Sequence, residues 1–253
     1  MSGLSIHLGM KMDLNCDMGE GMSTDALIMP FISSANIACG GHTGDASTMH
    51  ETILMAKQYQ VAVGAHPSYP DRENFGRKEM HLSDDVLYHE VSKQIHTIKK
   101  IAEEEHTVLH HVKPHGALYN TAAKNTQVAE TIAKAVYDID PDLKVYGLPN
   151  SIFEKICKEK GLQFIGEGFA DRTYSEDGSL TPRSMPNALI TDTAASIEQA
   201  MEMVRKGMVQ TTSGACIPMP VKTICIHGDG QHAITFAKAL HATFKQHKIA
   251  ITH

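Results

Sequence analysis

No two cysteines in this chain are spaced C-x-x-C. The five that occur (Cys16, Cys39, Cys157, Cys216 and Cys225) are odd in number and dispersed. That pattern argues against a disulfide framework or a zinc knuckle and fits a reducing cytoplasm. No segment concentrates lysine and arginine, and the net charge is -6, which argues against a nucleic-acid partner. No apolar run approaches the length of a membrane span. The start, Met1 to Met12, is short and mixed, without the long apolar stretch of a signal peptide. Met10 and Met12 place a natural start there, so residues 1–11 are expected to be an extension and 12–253 the domain. No Gly-Lys-Ser/Thr closes a glycine-rich loop, and no G-x-G-x-x-G follows the first strand candidate. Internal repeats, linkers and low-complexity tracts are also missing. The 253 residues therefore read as one barrel-sized domain.

What is present is a repeated alternation of short apolar runs and amphipathic stretches. Strand candidates are Lys11 to Asp17, Phe31 to Ala38, Gln60 to His66, Thr107 to Val112, Leu143 to Leu148, Gln163 to Glu167 and Thr223 to His227. Between them lie helical patterns. One follows Asp45, a plausible cap, with Met49, Ile53 and Ala56 inward. A long one is capped by Ser83, with Leu87, Val91, Ile95, Ile98 and Ala102 as its stripe. A single helix is expected after the fourth strand, with Val128, Ile132 and Val136 inward. Others bury Phe153 and Ile156, then Ile197, Met201 and Val204, then Ala233, Phe236, Leu240 and Phe244. Ser175 to Arg183 has no periodicity and reads as a lid or binding loop. Regular alternation over this length implies a parallel sheet, closed or open.

The polar residues favour closure. The fourth run leads into Lys113-Pro-His-Gly-Ala-Leu-Tyr119. Side chains alternate along a strand, so His111, Lys113 and His115 share one side. Asp17, His42, His66, Glu167 and His227 likewise follow apolar runs. In a β/α barrel the C-terminal strand ends form one rim, where active sites sit. An open doubly wound sheet would use only its switch point. Asp13, Asn15 and Asp17, alternating with Met12, Leu14 and Cys16, would line a polar cavity if that strand is central. Gly19-Glu20-Gly21 reads as a flexible acidic loop.

Six stretches resemble the LamB/YcsF family, in its order and over nearly the whole chain. They are Asp13-Leu-Asn-Cys-Asp-Met-Gly-Glu20, Ala35-Asn-Ile-Ala-Cys-Gly-Gly-His-Thr-Gly-Asp45 and Gly64-Ala-His-Pro-Ser-Tyr-Pro-Asp71. The others are Val112-Lys-Pro-His-Gly-Ala-Leu-Tyr-Asn120, Glu167-Gly-Phe-Ala-Asp-Arg172 and Ile226-His-Gly-Asp229. The resemblance implies an α/β fold: a single-domain, seven-stranded, TIM-like β/α barrel similar to the glycoside hydrolase/deacetylase group. It implies ATP-dependent opening of 5-oxoproline (pyroglutamate) to L-glutamate, with ADP and phosphate formed, in a complex with two further subunits, PxpB and PxpC.

That chemistry needs cations for phosphate, a base or proton shuttle, and donors for a developing oxyanion. The expected catalytic set is Asp17, His66, Lys113, His115 and Glu167. Lys113 would neutralise phosphate or amide-oxygen charge, His66 or His115 would shuttle protons, and Asp17 or Glu167 would orient a cation or act as base. Arg172 and Arg183 would hold the substrate carboxylate, with Asn15, His42 and His227 completing the substrate-binding set. A divalent cation is possible, with Asp17, His42 and His66 as its candidate ligands. Two other readings stay open: a metal-dependent deacetylase or hydrolase on a related barrel, and a non-catalytic subunit that only presents the lactam.

Overall fold

A computed structural model describes residues 9–227 and 233–253. In chain order its elements are β1 (Lys11–Met18), α1 (Asp25–Ile28), a 3-10 turn (Met29–Phe31), β2 (Ser34–Ala38), α2 (Ala46–Tyr59), β3 (Ala62–His66) and α3 (Asp84–Glu104). There follow β4 (Leu109–Val112), α4 (Gly116–Lys124), α5 (Thr126–Ile139), β5 (Lys144–Gly147), α6 (Ile152–Glu159) and β6 (Phe164–Phe169). The last are α7 (Thr193–Lys206), β7 (Met208–Gln210), β8 (Cys216–Pro218), β9 (Thr223–Ile226), α8 (Ala233–Gln246) and β10 (Ala250–Ile251).

Seven strands pair in the order β1-β2-β3-β4-β5-β6-β9, and β9 returns to β1. Every one of these pairings is parallel. The sheet is therefore a closed barrel, and all seven C-terminal strand ends meet at one mouth. β10 extends the ladder beside the start of β1, where Lys11 pairs with Ala250. The expected extension thus ends inside β1, and its first eight residues lie outside the described ones. No described helix is long and apolar enough to cross a membrane.

The alternation in β1 explains the two layers. Met12, Leu14, Cys16 and Met18 are buried in the apolar core shared with the outer helices. Asp13, Asn15 and Asp17 take the other side and are bonded across the barrel interior. Asp13 accepts from Ser33 Oγ (2.6 Å), Ser34 Oγ (2.8 Å) and Thr223 Oγ1 (2.6 Å). Asn15 donates to Thr223 Oγ1 at 2.7 Å. The outer layer uses the predicted stripes: Leu87, Val91, Ile95, Ile98 and Ala102 of α3 are all buried. Asp45 caps α2 by accepting from the Thr48 N–H at 2.9 Å.

Several expectations are corrected. β2 begins at Ser34, because Pro30 sits at the start of a 3-10 turn and cannot donate to a ladder. Ser83 occupies the position before α3, but its hydroxyl makes no capping bond. The single helix expected after β4 is two, α4 and α5. Asn125 ends the first and caps the second through the Val128 N–H. The antiparallel β7–β8 hairpin is not expected from the sequence; its strands are three residues each, too short for a periodicity. The aperiodic loop after β6 is pinned by bridges from Arg172 to Leu189 and from Tyr174 to Leu180 and Thr211.

One position fixes the interior. His111 of β4 is fully buried and stacks on Tyr146, with ring centroids 4.1 Å apart. A Cβ at Gly64 on neighbouring β3 would lie 2.0 Å from His111 Nε2. The register of β3 on β4 shifts at this point. Gly64→Ala should therefore destabilise the barrel by about 1–3 kcal/mol, the usual cost of overpacking a filled interior. Urea unfolding measures this; an unchanged midpoint would show that the imidazole can move aside.

Candidate active site

Lys113 lies just beyond the end of β4 and is 2% exposed. Its Nζ is 2.9 Å from Asp17 Oδ1 and 2.8 Å from Glu167 Oε1. Asn15 Oδ1 (3.2 Å) and Cys225 Sγ (3.1 Å) complete its surroundings. Three strands, β1, β6 and β9, thus converge on the ammonium group that follows β4. Burial works against its charge, but Asp17, Cys225 and Glu167 outweigh that and raise its pKa well above the ordinary lysine value. Burial would likewise raise the Asp17 pKa, yet His66 and Lys113 hold it well below the carboxylate range. The two are an ion pair at neutral pH.

Asp17 is also positioned from below. Asn36 Nδ2 donates to Asp17 Oδ1 and to Asn15 Oδ1, both at 2.8 Å. Asn36 Oδ1 in turn lies 2.7 Å from His111 Nε2. His111 Nδ1 is 3.1 Å from His110 Nδ1, and Lys144 Nζ donates to His110 Nε2 at 2.7 Å. Since the ammonium can only donate, the protons along this chain all point from Lys144 towards Asn36. Burial, reinforced by Lys144, holds the His110 pKa down at about 4, so its ring stays neutral and can pass the direction on.

Beside the lysine, His66 at the end of β3 and His42 and His115 from the loops after β2 and β4 gather around Glu20. His42 Nε2 is 2.9 Å from Glu20 Oε1. His115 Nδ1 is 2.9 Å from His66 Nε2 and 3.3 Å from Glu20 Oε1. The His42 and His115 rings stack with centroids 3.7 Å apart. A Cβ at Gly76 would meet both side chains at 2.9 Å, and its φ of +65° is one that glycine tolerates. This buried His/Glu group could bind a metal ion.

A cavity of about 400 Å³ opens over these groups. Of the expected residues, Asp17, His66, Lys113, His115, Arg172, Arg183 and His227 line it. Glu167 reaches the site through Lys113. Asn15 and His42 do not line the cavity: Asn15 sits beneath Lys113, and His42 stands behind His115. Arg172 is spoken for differently than expected. Its guanidinium donates to the Ala188 (3.2 Å) and Thr181 (2.6 Å) carbonyls and so ties down the loop after β6. Burial and the neighbouring Arg183 push its pKa down to about 10. His227 stacks on Phe169 and pairs with Asp171 at 2.9 Å. The Gly228–Asp229 part of its motif lies outside the described residues. The expected metal trio is also regrouped: His42 and His66 belong with Glu20 and His115, whereas Asp17 clusters with Cys225 and His227.

Glu20, Arg77, Tyr119 and Cys225 are ionisable residues at the site that fall outside the set expected from the sequence. Glu20 reads as part of a flexible loop but is buried against the histidines; an acid three residues beyond Asp17 and between two glycines is the available signal. Arg77 and Tyr119 line the cavity, and Cys225 touches Lys113. Tyr119 lies inside the stretch Val112 to Asn120, whereas Arg77 and Cys225 lie outside the six stretches and nothing local marks them.

Fold and site together define a single-domain β/α-barrel protein whose ionisable groups are collected at one mouth around a pocket, in the manner of barrel enzymes. The chain belongs to the LamB/YcsF family, whose family model matches residues 12–253. It is 46% identical over 242 residues to the A subunit of 5-oxoprolinase from Haemophilus influenzae strain PittEE, covering 96% of this chain and 99% of that protein. The solved lactam utilization protein of Thermus thermophilus superposes with a TM-score of 0.91 at 39% identity, over 96% of this chain and 99% of that one. Peptidoglycan deacetylase PdaC of Bacillus subtilis, 12% identical, shares the fold with a TM-score of 0.50, over 97% and 88% of the two chains.

Removing Lys113 tests the electrostatics. Lys113→Met takes the cation from buried Glu167 and leaves Asp17 with only His66 and Asn36 beside it, and should destabilise the fold by about 3–5 kcal/mol at neutral pH. The pH dependences should differ in sign. In the native protein the Asp17 pKa is depressed, so its stabilisation is lost as pH falls through that value. In the variant an unpaired buried carboxylate has a raised pKa, so protonation on lowering the pH recovers stability. Urea midpoints across the mildly acidic range measure this; parallel curves for the two proteins would contradict it.

Proposed function

We propose that the barrel mouth is the lactam site of an ATP-dependent 5-oxoprolinase, acting in the cytoplasm with PxpB and PxpC as its companion subunits. The observation that carries this reading is the ammonium of Lys113, enclosed between two carboxylates on the wall of a cavity of about 400 Å³. The near full-length similarity to a protein named as a 5-oxoprolinase component supports the choice of substrate.

A lactam is a weak electrophile. Transfer of the γ-phosphoryl group of ATP to the amide oxygen releases ADP and gives a better one. Water then adds to the ring carbon, the carbon–nitrogen bond breaks, and the departing nitrogen takes a proton. The resulting acyl phosphate consumes a second water and releases phosphate and L-glutamate. Lys113 would neutralise charge on the phosphorylated oxygen. Glu167 or Asp17 would accept a proton from water, and His66 or His115 would supply one to the nitrogen. Arg183, exposed on the cavity rim, would hold the substrate carboxylate. Arg172 would act one step back, by setting the loop that carries Arg183.

The test is reconstitution of the chain with its two companion subunits, following glutamate and ADP while each component is omitted in turn. Omission of this chain should abolish lactam-dependent ADP formation. A folded Lys113→Met variant should lose about 100-fold or more in kcat, the scale of removing one oxyanion-stabilising group. Arg183→Gln should chiefly raise KM for the lactam, because it removes ground-state binding. Near-normal turnover with either variant would remove that residue from the mechanism. ATP-independent release of acetate from a sugar would instead favour a deacetylase.

A further inference from the structure

We infer that Glu20, His66 and His115, with His42 closing the group, are the ligands of one divalent first-row transition-metal ion at the inner wall of the mouth. The inference deepens the proposed function, since it rests on that mouth being the reaction site.

The tautomers carry the argument. His66 Nδ1 lies 2.8 Å from the Lys113 carbonyl oxygen, and His115 Nε2 lies 2.9 Å from the Phe75 carbonyl oxygen. A carbonyl can only accept, so both of these nitrogens carry hydrogen. In neutral rings the opposite nitrogens, His66 Nε2 and His115 Nδ1, are then bare lone pairs. Those two atoms face each other at 2.9 Å. Glu20 Oε1 adds negative charge 3.3 Å from the second and 3.9 Å from the first. Lone pairs and a carboxylate converging in a dry place repel one another unless a cation lies among them.

The surroundings fit a metal ion. A ligating histidine usually donates its other ring N–H to a carbonyl or carboxylate, which fixes its orientation; both His66 and His115 do so here. The four donor atoms lie within 4.8 Å of one another, and all four residues are buried. His42 points Nε2 at Glu20, while its Nδ1 is buried without a hydrogen-bond partner.

Three imidazoles and one carboxylate suit zinc or its first-row neighbours; magnesium and calcium prefer oxygen alone. Glu20, His66 and His115 also line the cavity, so the ion would keep one side open to it. Bound there, it would supply a Lewis-acid centre next to Lys113. His66 and His115 would then be occupied as ligands, and proton transfer would fall to Asp17 and Glu167. The competing arrangement is a proton shared between His66 and His115, balanced by Asp17, whose Oδ2 lies 3.3 Å from His66 Nε2.

The experiment reads metal, not turnover. The untagged chain is purified without chelators and its metal content measured by mass spectrometry. Stripped protein is then titrated with cobalt(II) alone and with zinc(II) alone. One ion per chain is expected, with cobalt ligand-field bands and no thiolate charge-transfer band. Glu20→Gln and His115→Ala, each checked for fold by circular dichroism, should weaken binding by at least about tenfold. Glu167→Gln should keep one ion. The inference is overturned if stripped wild-type protein binds neither metal, or if folded His115→Ala binds as tightly as wild type. It is overturned equally by a thiolate band, which would place the ion at Asp17, Cys225 and His227 instead. If His115→Ala does not fold, the wild-type cobalt spectrum decides. A wild-type chain that turns over the lactam but binds neither metal would sink this inference alone, whereas a bound ion without turnover would sink the proposed reaction and leave the metal site standing.

Discussion

The structure depends on one buried cation. Lys113 is almost wholly enclosed and lies within 3 Å of both Asp17 and Glu167. Withdrawing three such charges from water costs several kcal/mol for each ion, and their attraction offsets this only if the geometry is good and the remaining polar atoms are bonded. Much of the barrel interior serves that condition. Asn36 bonds both Asp17 and Asn15, and its own carbonyl accepts from His111. Gly64 gives His111 its space. A hydrophobic filling would have been easier to fold. The polar one places a charged lysine on the wall of the cavity.

The barrel itself is largely legible in the sequence. Seven apolar runs, each followed by a helical pattern, imply a parallel sheet, and polar residues after most runs imply one shared rim. The closing pair, β9 on β1, follows from that reasoning and is present. Element edges are less legible. Phe31 to Ser33 looks like strand, but Pro30 bends the preceding residues into a 3-10 turn. One helix is expected after the fourth strand, yet Gly116 to Lys124 forms a separate α4 on the mouth before α5 begins. The β7–β8 hairpin and β10 are too short for any pattern to show.

The site is legible in part, for a physical reason. Residues within two positions of a strand end, such as Asp17, His66 and Lys113, have their direction set by alternation, so their meeting can be reasoned out. Residues carried by loops have no such rule. Glu20 turns inward to the histidines, His42 stacks behind His115, and Arg172 spends its donors on the Thr181 and Ala188 carbonyls. Only three-dimensional packing separates these outcomes from the solvent-facing or substrate-facing ones. The grouping of His42, His66 and His115 around Glu20, rather than of the histidines with Asp17, is of the same kind.

The central claim is that the lactam reacts at this mouth, against Lys113. The most direct measurement is a structure of the complex with its companion subunits, 5-oxoproline and a non-hydrolysable ATP analogue. The account predicts the lactam ring in the cavity of this chain, its carbonyl oxygen towards Lys113 and its carboxylate towards Arg183. A lactam bound wholly on a companion subunit, with this cavity filled only by solvent, would contradict it.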